Sequence, residues 1–336
     1  MITLIPPSLK KGDTIGVFSS SAPGTAWIPA RTELAIRYLE AQGFRVRLGT
    51  LAGKGAGSWR SGTIRERAEE LNALIHDPEV KCLMASAGGL TSNAILPWID
   101  YRALRRQPKL IVGHSDITVI LAAVYAQTGL LTCYGPHLIS NFGEVQPYAD
   151  ATLKALLDVI GEGALVPHVF PTPNQWTEDS VGLEESGGSC TAHPNALMTV
   201  RGGSASGRLL GGCLDALLGV FATPFMPQLR EGDILFLEDV RKTPEELERG
   251  FALLDNADVF RRIGGLILGK HADFRDQGTG MKPWEAPMEL LERYRFPILA
   301  EFDCGHTKPM LTLPLGASVR LDADQKRVTL LERITR

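Results

Sequence analysis

Residues 109–120, Lys109-Leu-Ile-Val-Gly-His-Ser-Asp-Ile-Thr-Val-Ile120 (KLIVGHSDITVI), decide the fold, because the period of the apolar residues changes across a polar cluster. Leu110, Ile111 and Val112 form a short continuous run rich in β-branched types, the pattern of a strand buried on both faces of a parallel sheet. After the cluster, Ile117, Ile120, Leu121 and Val124 recur at three- and four-residue steps, as in a helix that buries one face. Gly113 can supply the tight turn between the two elements. Ser115 then sits where a strand becomes a helix, beside N–H groups that have no intrahelical acceptor. Two readings fit. Ser115 or Asp116 caps the helix, or the turn is a nucleophile elbow that lifts the serine hydroxyl above the sheet. Ile117 occupies the place of the second glycine in G-x-S-x-G, so the motif itself leaves both open.

Outward from this unit, the first half alternates strand and helix. TIGVFSS (14–20) reads as a strand, ARTELAIRYLEAQG (30–43) as a helix closed by glycine, and FRVRLG (44–49) as a strand. TIRERAEELNALIHD (63–77) is the next helix and VKCLMAS (80–86) a buried strand. The rhythm predicts an α/β fold with a doubly wound open parallel sheet, Rossmann- or flavodoxin-like, over residues 1–162. Ligands bind outside the carboxyl ends of such strands, where residues 19–25 and Ser115 would lie. Residues 163–206 are rich in Pro, Gly, Ser and acid without a clear period, and read as a linker and substrate loop. Strands and helices resume over 207–336, predicting a second, C-terminal α/β domain.

With 336 residues, 44% hydrophobic and 22% charged, the composition is that of an ordinary globular protein with room for two cores. A net charge of −3 gives no basic footprint, so nucleic acid is not expected as a partner. The first residues lack an apolar signal region, and no segment approaches the roughly 18 apolar residues of a membrane span. Five scattered cysteines without C-x-x-C pairing point to reduced cytoplasmic thiols and away from a metal site.

A nucleophilic serine at neutral pH needs a base, usually histidine, and the base needs an orienting carboxylate. Seven histidines are available. His114 adjoins Ser115, and neighbouring side chains in an extended turn point apart. His76 ends a helix, where a cation favours the dipole. His168 and His193 lie in or beside the irregular segment. His137, His271 and His306 remain, the last following Gly305 in a compact loop. Glu238 ends the apolar run GDILFLEDV, where a charge is costly unless paired.

The chain resembles the serine LD-carboxypeptidase family, and within it the microcin C self-immunity peptidases. The matching blocks, in the family's order, are GDTIGVFSSSAP, SAGGLTSNAILPWIDY, LIVGHSD, YGPHLISNFGE, GRLLGGCLDAL, GDILFLEDV and GHTKPMLTLPLG. The resemblance implies Ser115 as nucleophile, His306 as general base and acid, and Glu238 as the residue orienting the histidine. It further implies an oxyanion hole from the amides of Asp116, Gly88 and Gly89. His114 stands where the family often has tyrosine or phenylalanine; it could titrate near neutrality or only fill an aromatic slot. The implied reaction is hydrolysis of an amide-like bond in an aminoacyl- or peptidyl-nucleotide, with no metal or organic cofactor. The alternative is removal of the terminal D-alanine from a murein tetrapeptide; a binding protein without catalysis would need a broken triad. Trp176, in QWTEDS (175–180), could stack on a purine or anchor its loop, and Lys242 could contact an anionic linkage or be a solvated lysine. A homodimer is expected.

Overall fold

The structure, a computed structural model, describes residues 2–144, 146–178 and 190–336; Asp179 and Ser180 of the QWTEDS block lie outside the described residues. Five parallel strands, β1 (Thr14–Phe18), β2 (Arg45–Leu48), β3 (Val80–Ala85), β4 (Leu110–Gly113) and β5 (Thr132–Tyr134), form the first sheet in the order β2-β1-β3-β4-β5. Ile111 and Val112 are buried, each contributing about 1.5–3 kcal/mol relative to exposure. Helices Pro29–Ala41, Ile64–His76 and Thr118–Thr128 connect these strands. Thr63 and Glu66 close a reciprocal capping box at the start of the second, a feature worth about 1 kcal/mol. The strand order reverses between β1 and β3, so the loops after them open a crevice at the carboxyl edge.

The second sheet has eight strands, of which Ser204–Cys213, Asp233–Glu238, Ile263–Gly269 and Ile298–Phe302 run parallel at its centre. The two halves exchange elements. Leu313–Leu315 adds antiparallel to β5 at the edge of the first sheet. Two sequence expectations change here. Residues 163–206, read as an irregular loop, supply the edge strand Met198–Arg201, paired with Ile298–Phe302, and the two-residue strand His168–Val169. Such short pieces carry too few residues to show a period of two; their partners across the sheet make them strands. The helix Thr118–Thr128 buries nearly its whole circumference, not one face. It packs on the first sheet and also on Ser204–Cys213 and Leu214–Leu218. Val119, Ala122 and Ala123, off the expected stripe, are buried as well.

Among the described residues no helix is long and apolar enough to cross a membrane, and no cluster of His, Cys, Asp or Glu is arranged to hold a metal.

Candidate active site

Ser115 has φ 56°, the left-handed region that a non-glycine residue enters at a cost of about 1–3 kcal/mol. The turn's unusual conformation thus falls on Ser115 and not on Gly113, which instead lets Ile117 pack against the strand: a Cβ on Gly113 would lie 2.8 Å from the Ile117 side chain. The geometry also separates the two readings of the motif. Neither Ser115 nor Asp116 caps the following helix, whose first turns have no side-chain cap. The Asp116 carboxylate is turned the other way, with Oδ2 accepting from Thr91 N, Ser92 N and Ser92 Oγ at 3.0, 3.0 and 2.8 Å. It ties the elbow to the loop that carries Gly88 and Gly89.

That glycine pair is required by close approach. A Cβ on Gly88 would stand 3.0 Å from Ser115 Cβ and 3.1 Å from its Oγ, so the Gly88 backbone lies against the hydroxyl. Gly89, at φ +150°, would put a Cβ 2.2 Å from Ser21 Oγ. Ser21 Oγ in turn accepts from Leu90 N and Thr91 N, both at 3.0 Å. Hydroxyl pairs Ser19–Ser86 and Ser20–Ser92, at 2.9 and 2.8 Å, join the loops after β1 and β3 below it.

The second sheet brings a buried carboxylate and a histidine. Glu238, fully buried at the carboxyl end of its strand, accepts from His306 Nδ1 at 2.8 Å through Oε2 and from the Tyr134 hydroxyl through Oε1. Burial alone would raise the Glu238 carboxyl, but the His306 charge and these two hydrogen bonds outweigh it and hold it below the usual range. Burial pulls His306 down, and Glu238 more than reverses that, raising it above an ordinary histidine. Gly305 permits the contact, since a Cβ there would lie 2.7 Å from Glu238 Oε2. Among the described residues the Ser115 hydroxyl makes no hydrogen bond; such bonds are often long before substrate binds and tighten in the complex.

The other buried histidines have different surroundings. His114 and His137 stack at 3.7 Å between ring centroids, and His114 meets His306 edge-on at 5.2 Å. Burial pushes His114 down to about 3, so it stays neutral near pH 7. Burial also lowers His137 far below neutrality and brings His271 to about 4.

A cavity of about 400 Å³ opens at Ser115, lined also by Gly89, Asp116, Asp215, Asp239 and Lys242. Lys242 is not a solvated lysine. Its Nζ lies 3.0 Å from Asp215 and 3.9 Å from Asp239, with the side chain 16% exposed. Trp176 does not line this cavity. It sits on the strand Gln175–Trp176, paired with His193–Pro194, and faces a second cavity of about 600 Å³ with Lys270, His271, Phe274 and Trp284. Thr177 and Lys308 exchange backbone hydrogen bonds at 2.9 Å, which binds the Trp176 segment to the His306 loop. Sequence reasoning missed Tyr134, Asp215 and Asp239. Asp239 adjoins Glu238 and was the one with a readable signal; the other two become site residues only when sheets meet.

A strand-turn-helix serine lies against a glycine loop, and its amide is joined through the Tyr134 hydroxyl to a buried Glu-His pair of the second sheet. The LD-carboxypeptidase N-terminal domain model matches residues 15–135, and the C-terminal domain model residues 206–321. The chain belongs to the LD-carboxypeptidase family. It is 43% identical to a putative carboxypeptidase of Vibrio cholerae, over 97% of each chain. It is 40% identical to the microcin C7 self-immunity protein of Escherichia coli, over 98% of this chain and 96% of that protein. A structure of that immunity protein with aspartyl sulfamoyl adenosine superposes at a TM-score of 0.95, with 39% identity, covering 99% of this chain and all of that one.

Proposed function

We propose that this chain hydrolyses the amide-like bond of aminoacyl- or peptidyl-nucleotides as a Ser-His-Glu enzyme. The observation that carries the reading is Ser115 in a left-handed turn against Gly88, with its amide linked through the Tyr134 hydroxyl to the His306–Glu238 pair of the second sheet. Ser115 Oγ attacks the acyl carbon while His306 takes its proton, and the amides of Gly88, Gly89 and Asp116 receive the oxyanion. The bond to nitrogen breaks as His306 returns the proton to the leaving group. Water, deprotonated by His306, then frees the acid and restores the serine. Every step uses groups of this chain and water.

The substrate class is supported by the immunity protein's complexes with aspartyl sulfamoyl adenosine and glutamyl sulfamoyl guanosine. Lys242 offers a charge within the cavity to an anionic phosphoryl or sulfamoyl linkage, and Trp176 offers a face to a purine. A second reading, LD-carboxypeptidase action on murein tetrapeptide, is supported by 29% identity to a probable murein peptide carboxypeptidase of Bacillus subtilis over 96% of this chain. Hydrolysis of aspartyl sulfamoyl adenosine and of an LD-tetrapeptide, measured side by side, decides between them. Faster cleavage of the tetrapeptide overturns the nucleotide reading. Trp176→Ala should lower kcat/KM for the nucleotide substrate by about 5- to 150-fold and leave the tetrapeptide unaffected. Equal losses on both would assign Trp176 to loop support.

A further inference from the structure

We infer that Tyr134 is a positioning residue, its hydroxyl joining the amide of the nucleophilic residue to the carboxylate that orients the base. The inference rests on the roles proposed for Ser115, His306 and Glu238. Tyr134 ends β5 and is fully buried. Its oxygen accepts from Ser115 N at 3.1 Å and its proton goes to Glu238 Oε1. Glu238 Oε2 is the atom that receives His306 Nδ1. One phenol oxygen therefore stands between the strained turn of the first sheet and the charge pair of the second.

The phenol has little freedom to leave this position. Its backbone pairs with Gly113 on one side and Leu313 on the other. The ring meets Phe236 edge-on at 5.4 Å and His114 at 6.3 Å. Burial and the Glu238 charge raise Tyr134 well above an ordinary phenol, so it remains a proton donor at neutral pH.

The hydroxyl acts on the base through Glu238. By donating to Oε1 it draws charge from the carboxylate, which weakens the hold of Glu238 on the imidazolium form of His306. The ionisable groups around this link are Cys213, Cys304 and His114 beside Tyr134, His271 and Cys304 beside Glu238, and His114, His137, Asp239 and Arg241 beside His306. Burial keeps Cys213 and Cys304 protonated and His114, His137 and His271 neutral near pH 7, leaving Asp239 and Arg241 as the other charges felt by His306.

Tyr134→Phe should lower kcat for aspartyl sulfamoyl adenosine by about 10- to 100-fold, with KM held within about threefold. The acid limb of kcat/KM should move to higher pH, because His306 then keeps its proton more firmly. Full activity, or a loss with the acid limb unmoved, overturns the inference. Replacing Tyr134 by 3-fluorotyrosine keeps the packing and strengthens the donor. It should move the acid limb to lower pH, and an unmoved limb in a folded protein likewise overturns the inference. Ser115→Ala in the same assay separates the two levels: retained turnover removes the triad reading itself, whereas an inactive Ser115→Ala beside an unaltered Tyr134→Phe removes only the role of the tyrosine.

Discussion

Ser115 and Glu238 reach the same site from different sheets, and different forces hold them there. On the Ser115 side the constraints are geometric: a left-handed φ, a glycine backbone against the hydroxyl, and the Asp116 carboxylate pinning the facing loop. On the relay side they are electrostatic, a buried carboxylate and a histidine that each shift the other's proton affinity. Changes on the first side should therefore alter rate without moving a pH profile. Changes on the second should do both.

The largest effects test whether the two sides work as one unit. Ser115→Ala and His306→Ala should each reduce turnover by about 10³-fold or more, and the double variant should be little worse than either. Additive losses would break the unit into independent parts. Glu238→Gln should cost roughly 10²–10³-fold in kcat. It should also displace the acid limb to lower pH. His306 must be neutral to accept the serine proton, its affinity is raised by Glu238, and loss of that charge lets it deprotonate earlier. A limb that stays in place would mean that Glu238 acts only by steric support.

Gly88→Ala sharpens the contrast from the other side. The added methyl would crowd Ser115 Cβ and Oγ at 3.0 and 3.1 Å. A loss of about 10²-fold is expected from that displacement. The pH profile of the remaining activity should match the parent, and a shifted limb would show that the two sides are electrostatically coupled through the glycine loop.

The smallest expected effect concerns stability. Burial and the neighbouring Glu238 push Asp239 from 3.8 up to about 6. A carboxyl raised on folding gives its full contribution below its unfolded value, near pH 4, and loses it as pH climbs through about 6. The difference of about two units corresponds to at most about 3 kcal/mol. Asp239→Asn does not titrate, so between pH 4 and pH 7 its Tm should fall less than the parent's. Parallel melting curves across that range would rule out an unfavourable ionisation at Asp239.

The first sheet was largely legible along the chain because its information is local. Buried strands read as continuous apolar runs and amphipathic helices as three- and four-residue steps. Helix Thr118–Thr128 departs from the expectation in one respect, since its stripe of Ile120, Leu121 and Val124 carries no trace of the second half, on which the helix also packs, and Val119 and Ala123 are buried too. The edge strand Met198–Arg201 was invisible for the same reason: its hydrogen bonds lie on Ile298–Phe302, about a hundred positions away.

The site divides along the same line. Residue order and type determined that a serine sits at a strand-to-helix turn, that Glu238 ends an apolar strand, and that paired glycines precede the third block, because each depends on neighbours a few positions off. Resemblance, not periodicity, singled out His306 from seven histidines. Tertiary structure alone decided that Ser115 takes φ 56°, that Lys242 is held between Asp215 and Asp239, and that Tyr134 bridges Ser115 to Glu238, the latter 104 positions from the tyrosine. It also placed Trp176 in a cavity apart from Ser115. Backbone strain, charge pairing and burial at these places arise where two sheets meet, and the energy of a contact between distant residues has no periodic signature in either segment that makes it.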